Sequence, residues 1–288
     1  MTNIAYLGTG LLGSAMAEAA AKRGNTVAVW NRTQEKARAL EQFGARVAAT
    51  PADAVRGADH VHLILKDDAV VDDVIAALRP GLESRAIIID HTTTHPALTG
   101  ERSRRLNAEG VRYIHCPVFM GPVAARAQQG VVLASGPQAL FDAIKDELGR
   151  MTARVEYFGE RPDLAAVYKL CGNAYIIGIA ALVSDVFAIA SGAGVAPADT
   201  LRILDFFNPG SLIAGRTRNM AARNFAPAFE LAMARKDVRL MLETADSVPL
   251  AALPGIAERM DALIAAGHGA DDLAILGNDA VNAYSRRS

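Results

Sequence analysis

At 288 residues the chain is long enough for two domains, each with its own core. Hydrophobic residues make up 51% and charged residues 21%, the balance of a compact soluble protein, and a net charge of −1 argues against nucleic acid or a membrane surface as the main partner. Cys116 and Cys171 are the only cysteines; they are too few for a disulfide framework and lack metal-ligand spacing, so no metal is expected and the compartment is a reducing one.

The N-terminus enters a strand at once, with no visible signal peptide, which points to a cytoplasmic protein. Ile4-Ala5-Tyr6-Leu7 is a short apolar run that leads directly into Gly8-Thr9-Gly10-Leu11-Leu12-Gly13 and then into Ala-rich helical sequence. Gly8 allows a tight turn, Gly10 lets the backbone approach a pyrophosphate, and Gly13 lets helix and strand pack closely. The phosphates would sit on free N–H groups at the helix N-terminus. A second strand, 26–30, completes a strand–helix–strand unit of about thirty residues. Where an NAD site has a carboxylate for the ribose hydroxyls, this chain has Asn31-Arg32-Thr33. A guanidinium can grip a 2′-phosphate bidentately and a threonine hydroxyl can add a donor, so the cofactor expected is NADP(H).

Strands and helices keep alternating. A helix over 34–43 ends at Gly44, residues 45–48 form a short strand, and Thr50-Pro51-Ala52-Asp53 caps a helix with proline at its first position. Strands follow at 60–65, 86–90 and 113–116, with helices after Lys66-Asp67-Asp68 and from Thr92-Thr93-Thr94-His95-Pro96. Strands at 131–135 and 154–158 complete the sheet. The pattern predicts an α/β domain, a Rossmann-type doubly wound parallel sheet with ligands beyond the carboxyl ends of its strands.

From Pro162 onward strand signals stop. Residues 163–191 could form one helix of about 43 Å, apolar on most faces and therefore buried between domains or subunits. Its longest apolar run, 174–183, breaks at Ser184-Asp185, short of a membrane span. Further helices are expected at 198–206, 211–223, 232–245, 254–266 and 272–285. The boundary near Gly159 gives a nucleotide-binding domain, 1–160, and an all-helical substrate and dimerisation domain, 161–288. A homodimer or tetramer is expected. His60, His62 and His268 look structural, and Phe206-Phe207 looks like core.

At this point the chain resembles the β-hydroxyacid dehydrogenases, which include the 3-hydroxyisobutyrate dehydrogenases. The glycine turn with Asn31-Arg32-Thr33 is similar to that family's cofactor motif. Asp90-His91-Thr92-Thr93 followed by Pro96 resembles its segment near the nicotinamide. Pro117-Val118 through Gly130 lies where its substrate loop should be, and Lys169-Leu170-Cys171-Gly172-Asn173 matches its catalytic Lys-x-x-x-Asn. Lys236-Asp237 resembles a later Lys-Asp pair at the cofactor end of the cleft. The resemblance implies an NADP-dependent oxidoreductase with a C-terminal domain like that of 6-phosphogluconate dehydrogenase. It implies catalysis by Lys169 and Asn173, cofactor contacts extending to Leu65, Lys66, Thr93 and Lys236, and a substrate site of Pro117, Val118, Phe119, Met120, Gly121 and Asp237. The substrate would be a small carbonyl, semialdehyde or hydroxy acid.

Independently of that resemblance, Lys169 and Asn173 are four apart and share one helix face. Burial in an apolar stretch would lower the lysine's pKa toward acid–base use. A lysine that snorkels to solvent is the plain alternative. The substrate loop departs from the family's Asp-x-Pro-Val-Ser-Gly-Gly, because His115-Cys116-Pro117-Val118-Phe119-Met120-Gly121 places two large apolar side chains where a carboxylate would be held. Either they turn into the core or the pocket takes a less polar substrate. Imine reductases share the Trp30-Asn31-Arg32-Thr33 wording and have apolar pockets, although they usually lack the lysine. An imine substrate is therefore the alternative, and a non-catalytic NADP-binding protein the third reading.

Overall fold

A computed structural model describes residues 2–285. In it β1 (Asn3–Leu7), α1 (Leu11–Lys22), β2 (Thr26–Trp30), α2 (Gln34–Arg38), β3 (Arg46–Val47), α3 (Pro51–Val55), β4 (His60–Leu63), α4 (Asp68–Leu78), β5 (Ile87–Asp90), α5 (Pro96–Ala108) and β6 (Tyr113–His115) alternate without a break. All the strand pairings are parallel, in the order β3-β2-β1-β4-β5-β6. The chain winds outward from β1 through β2 to β3 and then returns to the other side of β1 at β4. The carboxyl ends of β1 and β4 therefore mark the topological switch point, where a crevice opens. Both sheet faces are buried. Ile4, Tyr6, Val29, Ile89 and Ile114 feed one core layer, while Ala5, Leu7, Val61, Leu63 and Ile88 feed the other, as the two-residue period of a strand requires.

The strands expected to complete this sheet do not join it. With β7 (Val118–Phe119), α6 (Pro122–Arg126), β8 (Val131–Ala134), α7 (Gln138–Met151) and β9 (Arg154–Tyr157), the chain forms a second, three-stranded sheet in the order β7-β8-β9. β7 runs antiparallel to β8 and occupies one of its edges, and β9 takes the other in parallel, so β8 has no edge left for β6. A single antiparallel bridge from His115 to Ser135 links the region to β6. The helix expected over 34–43 is also interrupted. α2 ends at Arg38, and a 3₁₀ turn, Glu41–Phe43, carries the chain to Gly44 in the left-handed region.

The long helix α8 (Leu164–Gly192) is continuous, and the chain divides into two compact units within it, between Asn173 and Ala174. The second unit continues with α9 (Pro197–Thr200), α10 (Gly210–Ala221), α11 (Leu231–Ala245), α12 (Leu253–Leu263) and α13 (Asn278–Ser285). The helix expected at 198–206 shortens to α9 followed by a 3₁₀ segment, Leu201–Asp205, and 3₁₀ turns Leu273–Gly277 precede α13. Leu231, Val238, Leu253, Met260, Leu263 and Ile275 form its core. The buried carboxylate of Asp185 accepts from the backbone N–H groups of Ala251, Ala252 and Leu253 at 2.6, 3.0 and 2.8 Å, which closes the start of α12.

One expectation fails here. Phe206 and Phe207 are 82% and 45% exposed rather than core. The most apolar 18-residue window of α8, with a mean hydropathy of 2.0, is only 11% buried within the chain. By length and composition alone that helix could cross a membrane, because the helix continues through Ser184-Asp185, where the apolar run breaks.

A stack of rings crosses the first core layer. The Tyr6 ring lies 4.7 Å from that of His62, which lies 5.1 Å from that of His91. His91 Nδ1 sits 2.6 Å from the carbonyl oxygen of Cys116. A carbonyl can only accept, so Nδ1 carries the proton and the bare Nε2 accepts from His62 Nδ1 at 2.8 Å. Burial disfavours a second proton on either ring, so both imidazoles are neutral at neutral pH. Burial pulls His91 down to about 4 from its ordinary 6.5, and burial followed by repulsion from His91 pulls His62 well below its own. The unfolded chain takes up these protons near pH 6.5 and the folded chain does not. Stability from the pair is fully present above pH 6.5 and is lost as pH falls toward 4, by up to about 1.4 kcal/mol per pH unit for each histidine. Urea midpoints measured across that window should fall steeply, and His91→Asn should flatten the slope.

Candidate functional site

The switch point holds an open cleft of about 670 Å³. It is lined by Gly8 and residues 10–13 beyond β1, by Trp30, Asn31, Arg32 and Thr33 where β2 ends, and by Ile64, Leu65 and Lys66 where β4 ends. Gly8 has φ +99, and a Cβ there would lie 2.1 Å from the Ile64 carbonyl oxygen. A Cβ on Gly13 would lie 1.9 Å from the Gly8 carbonyl oxygen. Both positions thus close backbone on backbone. Gly10 differs, since a Cβ there would meet nothing within 4 Å. The space over its backbone is open, in front of the first turn of α1 with its unpaired N–H groups. That is a cradle of the kind a pyrophosphate fills.

Asn31 braces this turn rather than facing the cleft with its full polar complement. Its Oδ1 accepts from Thr9 N at 3.1 Å and its Nδ2 donates to the Thr33 carbonyl at 2.9 Å. Thr9 itself is buried, and its backbone carbonyl accepts from Ser14 Oγ at 2.9 Å. Arg32 and Lys36 are exposed at the cleft and form no ion pair among the described residues. Lys66 pairs loosely with Asp67 at 3.5 Å.

The third edge is tied down through a buried carboxylate. Asp90 accepts from Tyr113 Oη at 2.7 Å and from Thr92 N at 2.9 Å. Thr92 Oγ1 in turn accepts from Leu65 N at 3.0 Å, fastening the end of β5 to the end of β4. Thr93, next in line, is exposed and lies outside the cleft lining.

Lys169 and Asn173 do meet, with Nζ donating to Oδ1 at 2.8 Å. The lysine is half-buried, and burial is what lowers its pKa. Its Nζ also stands 4.2 Å from the centroid of the Phe119 ring. In the substrate loop Pro117 and Val118 are buried, Met120 packs against the core layer of Ile89 and Ile114, and Gly121 precedes α6. Phe119 and Met120 thus part company, one toward Lys169 and the other into the core. Lys236 and Asp237 lie in the second unit on α11 and pair with each other at 2.8 Å.

Residues 3–159 match the sequence family described as the NAD binding domain of 6-phosphogluconate dehydrogenase, and residues 164–277 match NAD-binding of NADP-dependent 3-hydroxyisobutyrate dehydrogenase. The chain belongs to the β-hydroxyacid dehydrogenase family. As a member of that family it is an NAD(P)-dependent oxidoreductase. An uncharacterised oxidoreductase of Shewanella frigidimarina is 27% identical over 88% of this chain and 90% of its own. Glyoxylate/succinic semialdehyde reductase 1 of Arabidopsis thaliana is 29% identical over 86% and 89%. The human cytokine-like nuclear factor N-PAC is 28% identical over 85% of this chain, which spans only 45% of that longer protein. Among solved structures, an imine reductase from Myxococcus stipitatus in complex with NADP+ shares the fold, with a TM-score of 0.87 at 22% identity over 96% of this chain and 98% of its own. An imine reductase from Streptomyces aurantiacus has a TM-score of 0.84 at 27% identity, over 95% and 98%.

The family's motifs thus fall partly in one cleft and partly elsewhere. Sequence reasoning missed Lys36, which lies four residues after Arg32 and so on the same side of the turn entering α2. It also missed the bracing roles of Asp90, Tyr113 and Thr92. A carboxylate at the end of an apolar strand was the available signal for Asp90.

Proposed function

We propose that this chain is an NADP(H)-dependent reductase of small carbonyl compounds, acting in reverse on the corresponding hydroxy compounds, with Lys169 as the acid–base group. The observation that carries the reading is the half-buried Lys169, held by Asn173 without a counter-ion among the described residues. When bound, the nicotinamide cofactor supplies or accepts the hydride. The residues of this chain do the rest. Gly10 and the first turn of α1 take the pyrophosphate, Asn31 fixes the turn, and Arg32, Thr33 and Lys36 hold the 2′-phosphate. The Lys169 ammonium gives its proton to the carbonyl oxygen as the carbon is reduced, and Asn173 keeps the ammonium in place. The likeness to a glyoxylate/succinic semialdehyde reductase supports a small aldehyde or semialdehyde as substrate.

A second reading, reduction of imines, is favoured by the likeness to imine reductases and by the apolar Phe119 in the loop. Lys169→Met separates the two, because it keeps the stem and removes the proton donor. Carbonyl reduction should fall by about 10²–10⁴-fold while NADPH affinity barely changes. Reduction of a preformed iminium, which needs hydride but no proton, should fall much less. Full carbonyl activity in the variant would reduce Lys169 to a structural lysine.

Cofactor choice rests on Arg32 and Lys36, cations at the cleft that form no ion pair among the described residues. Arg32→Asp should weaken NADPH binding by about 2 kcal/mol, or roughly thirtyfold, and leave NADH binding unharmed or improved. Titrating both cofactors against both proteins checks this; equal losses would contradict a 2′-phosphate site.

We assign the exposed apolar face of the second unit to a second copy of this chain rather than to a membrane. Ile179, Val183 and Val186 of α8 form with Leu201, Leu204 and Phe207 an apolar cleft of about 380 Å³. The same helix places the Asp185 carboxylate against the α12 backbone, a charge at the break in its apolar run that a membrane would have to accommodate. Sedimentation of the wild type should give a dimer or larger assembly, and Leu204→Glu with Phe207→Glu should shift it toward monomer. A monomeric wild type that floats with lipid vesicles would reverse the assignment.

A further inference from the structure

Phe119 occupies a position that its neighbours in sequence do not share. β7 pairs Val118 with Val132 and Phe119 with Val131. Alternation along the strand then sends Val118 and Met120 into the core and Phe119 the other way. There the ring edge rests on the bare Cα of Gly172. A Cβ added at Gly172 would lie 2.2 Å from the ring's Cζ and 2.7 Å from Cε1, so a side chain there would push the ring from its place. Lys169, Gly172 and Asn173 are three and four apart and share one face of α8. The ring that rests on Gly172 therefore also reaches Lys169, whose Nζ stands 4.2 Å from its centroid.

The surroundings of the ammonium are otherwise sparse. From α8 it has the neutral amide of Asn173, at 2.8 Å, and from β7 the uncharged Phe119 ring. Among the described residues no carboxylate pairs with it and no second cation opposes it; burial is the one cause of its lowered pKa. A half-buried ammonium of this kind is ordinarily expensive, and the negative face of an aromatic ring is the available compensation.

We propose that Phe119 is the positioning residue of Lys169: its ring face serves the ammonium in place of a counter-ion, and its edge on Gly172 sets where the ammonium stands. The inference rests on the reading of Lys169 as the acid–base group. A carboxylate at this distance would hold the proton tightly and raise the lysine far above working pH. The ring favours the ammonium only mildly and leaves the downward pull of burial in force. The lysine keeps its place and can still release its proton. The departure from the family's serine at position 119 thus supplies an aromatic platform for the lysine as well as removing a hydroxyl.

The test replaces Phe119 in the full chain with mono-, di- and trifluorinated phenylalanine, which weakens the ring face stepwise while nearly keeping its size. The titration of Lys169 Nζ is followed by NMR in ¹⁵N-lysine-labelled protein without cofactor, its signal assigned by its loss in Lys169→Met. The titration midpoint should fall with each added fluorine, by roughly half to one pH unit over the series. Phe119→Leu should match the trifluorinated ring, and Phe119→Trp should restore the midpoint. A midpoint that ignores the fluorine series overturns the proposal. The alkaline limb of carbonyl reduction, where the ammonium loses its proton, is measured on the same proteins. A limb that follows the midpoint supports both the contact and the catalytic reading. If the midpoint moves and the limb stays, the contact stands and the acid role of Lys169 fails.

Discussion

The contact on which the cleft depends is one between two backbones. At Gly13 the first turn of α1 comes so near the Gly8 carbonyl that a single methyl group would lie 1.9 Å from its oxygen. Gly8 makes the same demand against Ile64. Together these two absences of a side chain let α1 sit directly on the end of β1 and let the end of β1 sit directly on that of β4. The helix N-terminus, with its unpaired N–H groups and positive end of the dipole, is thereby aimed into the crevice between the strands. A bulkier residue at either place would separate the elements by more than side-chain rearrangement can absorb, because the opposing atoms are main chain.

Around that contact the site is held by polar groups that the core has been made to accommodate. Asp90 is wholly buried, and its two oxygens are used by Tyr113 and by the backbone of Thr92. Satisfied in this way, the carboxylate joins the end of β5 to the Tyr113 side chain of β6 instead of acting as an unpaired charge, and Thr92 Oγ1 carries the tie to the end of β4. The imidazoles of His62 and His91 contribute as neutral rings, stacked and hydrogen-bonded in series. Their tautomers follow from one carbonyl, that of Cys116. The first unit therefore carries its binding edge on an interior whose buried histidines make it acid-sensitive.

The lysine is treated differently. Among the described residues no counter-ion pairs with Lys169, which instead meets an amide on its own helix and a ring from β7, elements far apart in sequence. The strand pairing of β7 with β8 decides which way residue 119 faces, and the lack of a side chain at Gly172 decides how near it comes. A two-residue strand thus governs the environment of a group on a twenty-nine-residue helix.

The local order of strand, glycine turn and helix made the doubly wound sheet legible in the sequence, because each element's apolar period and caps lie within a few residues of one another. The same holds for the pairing of Lys169 with Asn173, which helix geometry alone dictates. The wording after β2 likewise marks Arg32 and Thr33 as cleft residues. The sequence could not say that residues 131–134 and 154–157 build a separate sheet, since strand pairing depends on which edges remain free once the chain has folded. Nor could it say that Phe206 and Phe207 stay exposed, because composition marks a residue as apolar but not what covers it. Whether Phe119 and Met120 faced a ligand or the core was open for a similar reason. Their alternation was implicit in a strand too short to recognise, and only the tertiary placement of β7 against β8 and of Gly172 against the ring resolved it.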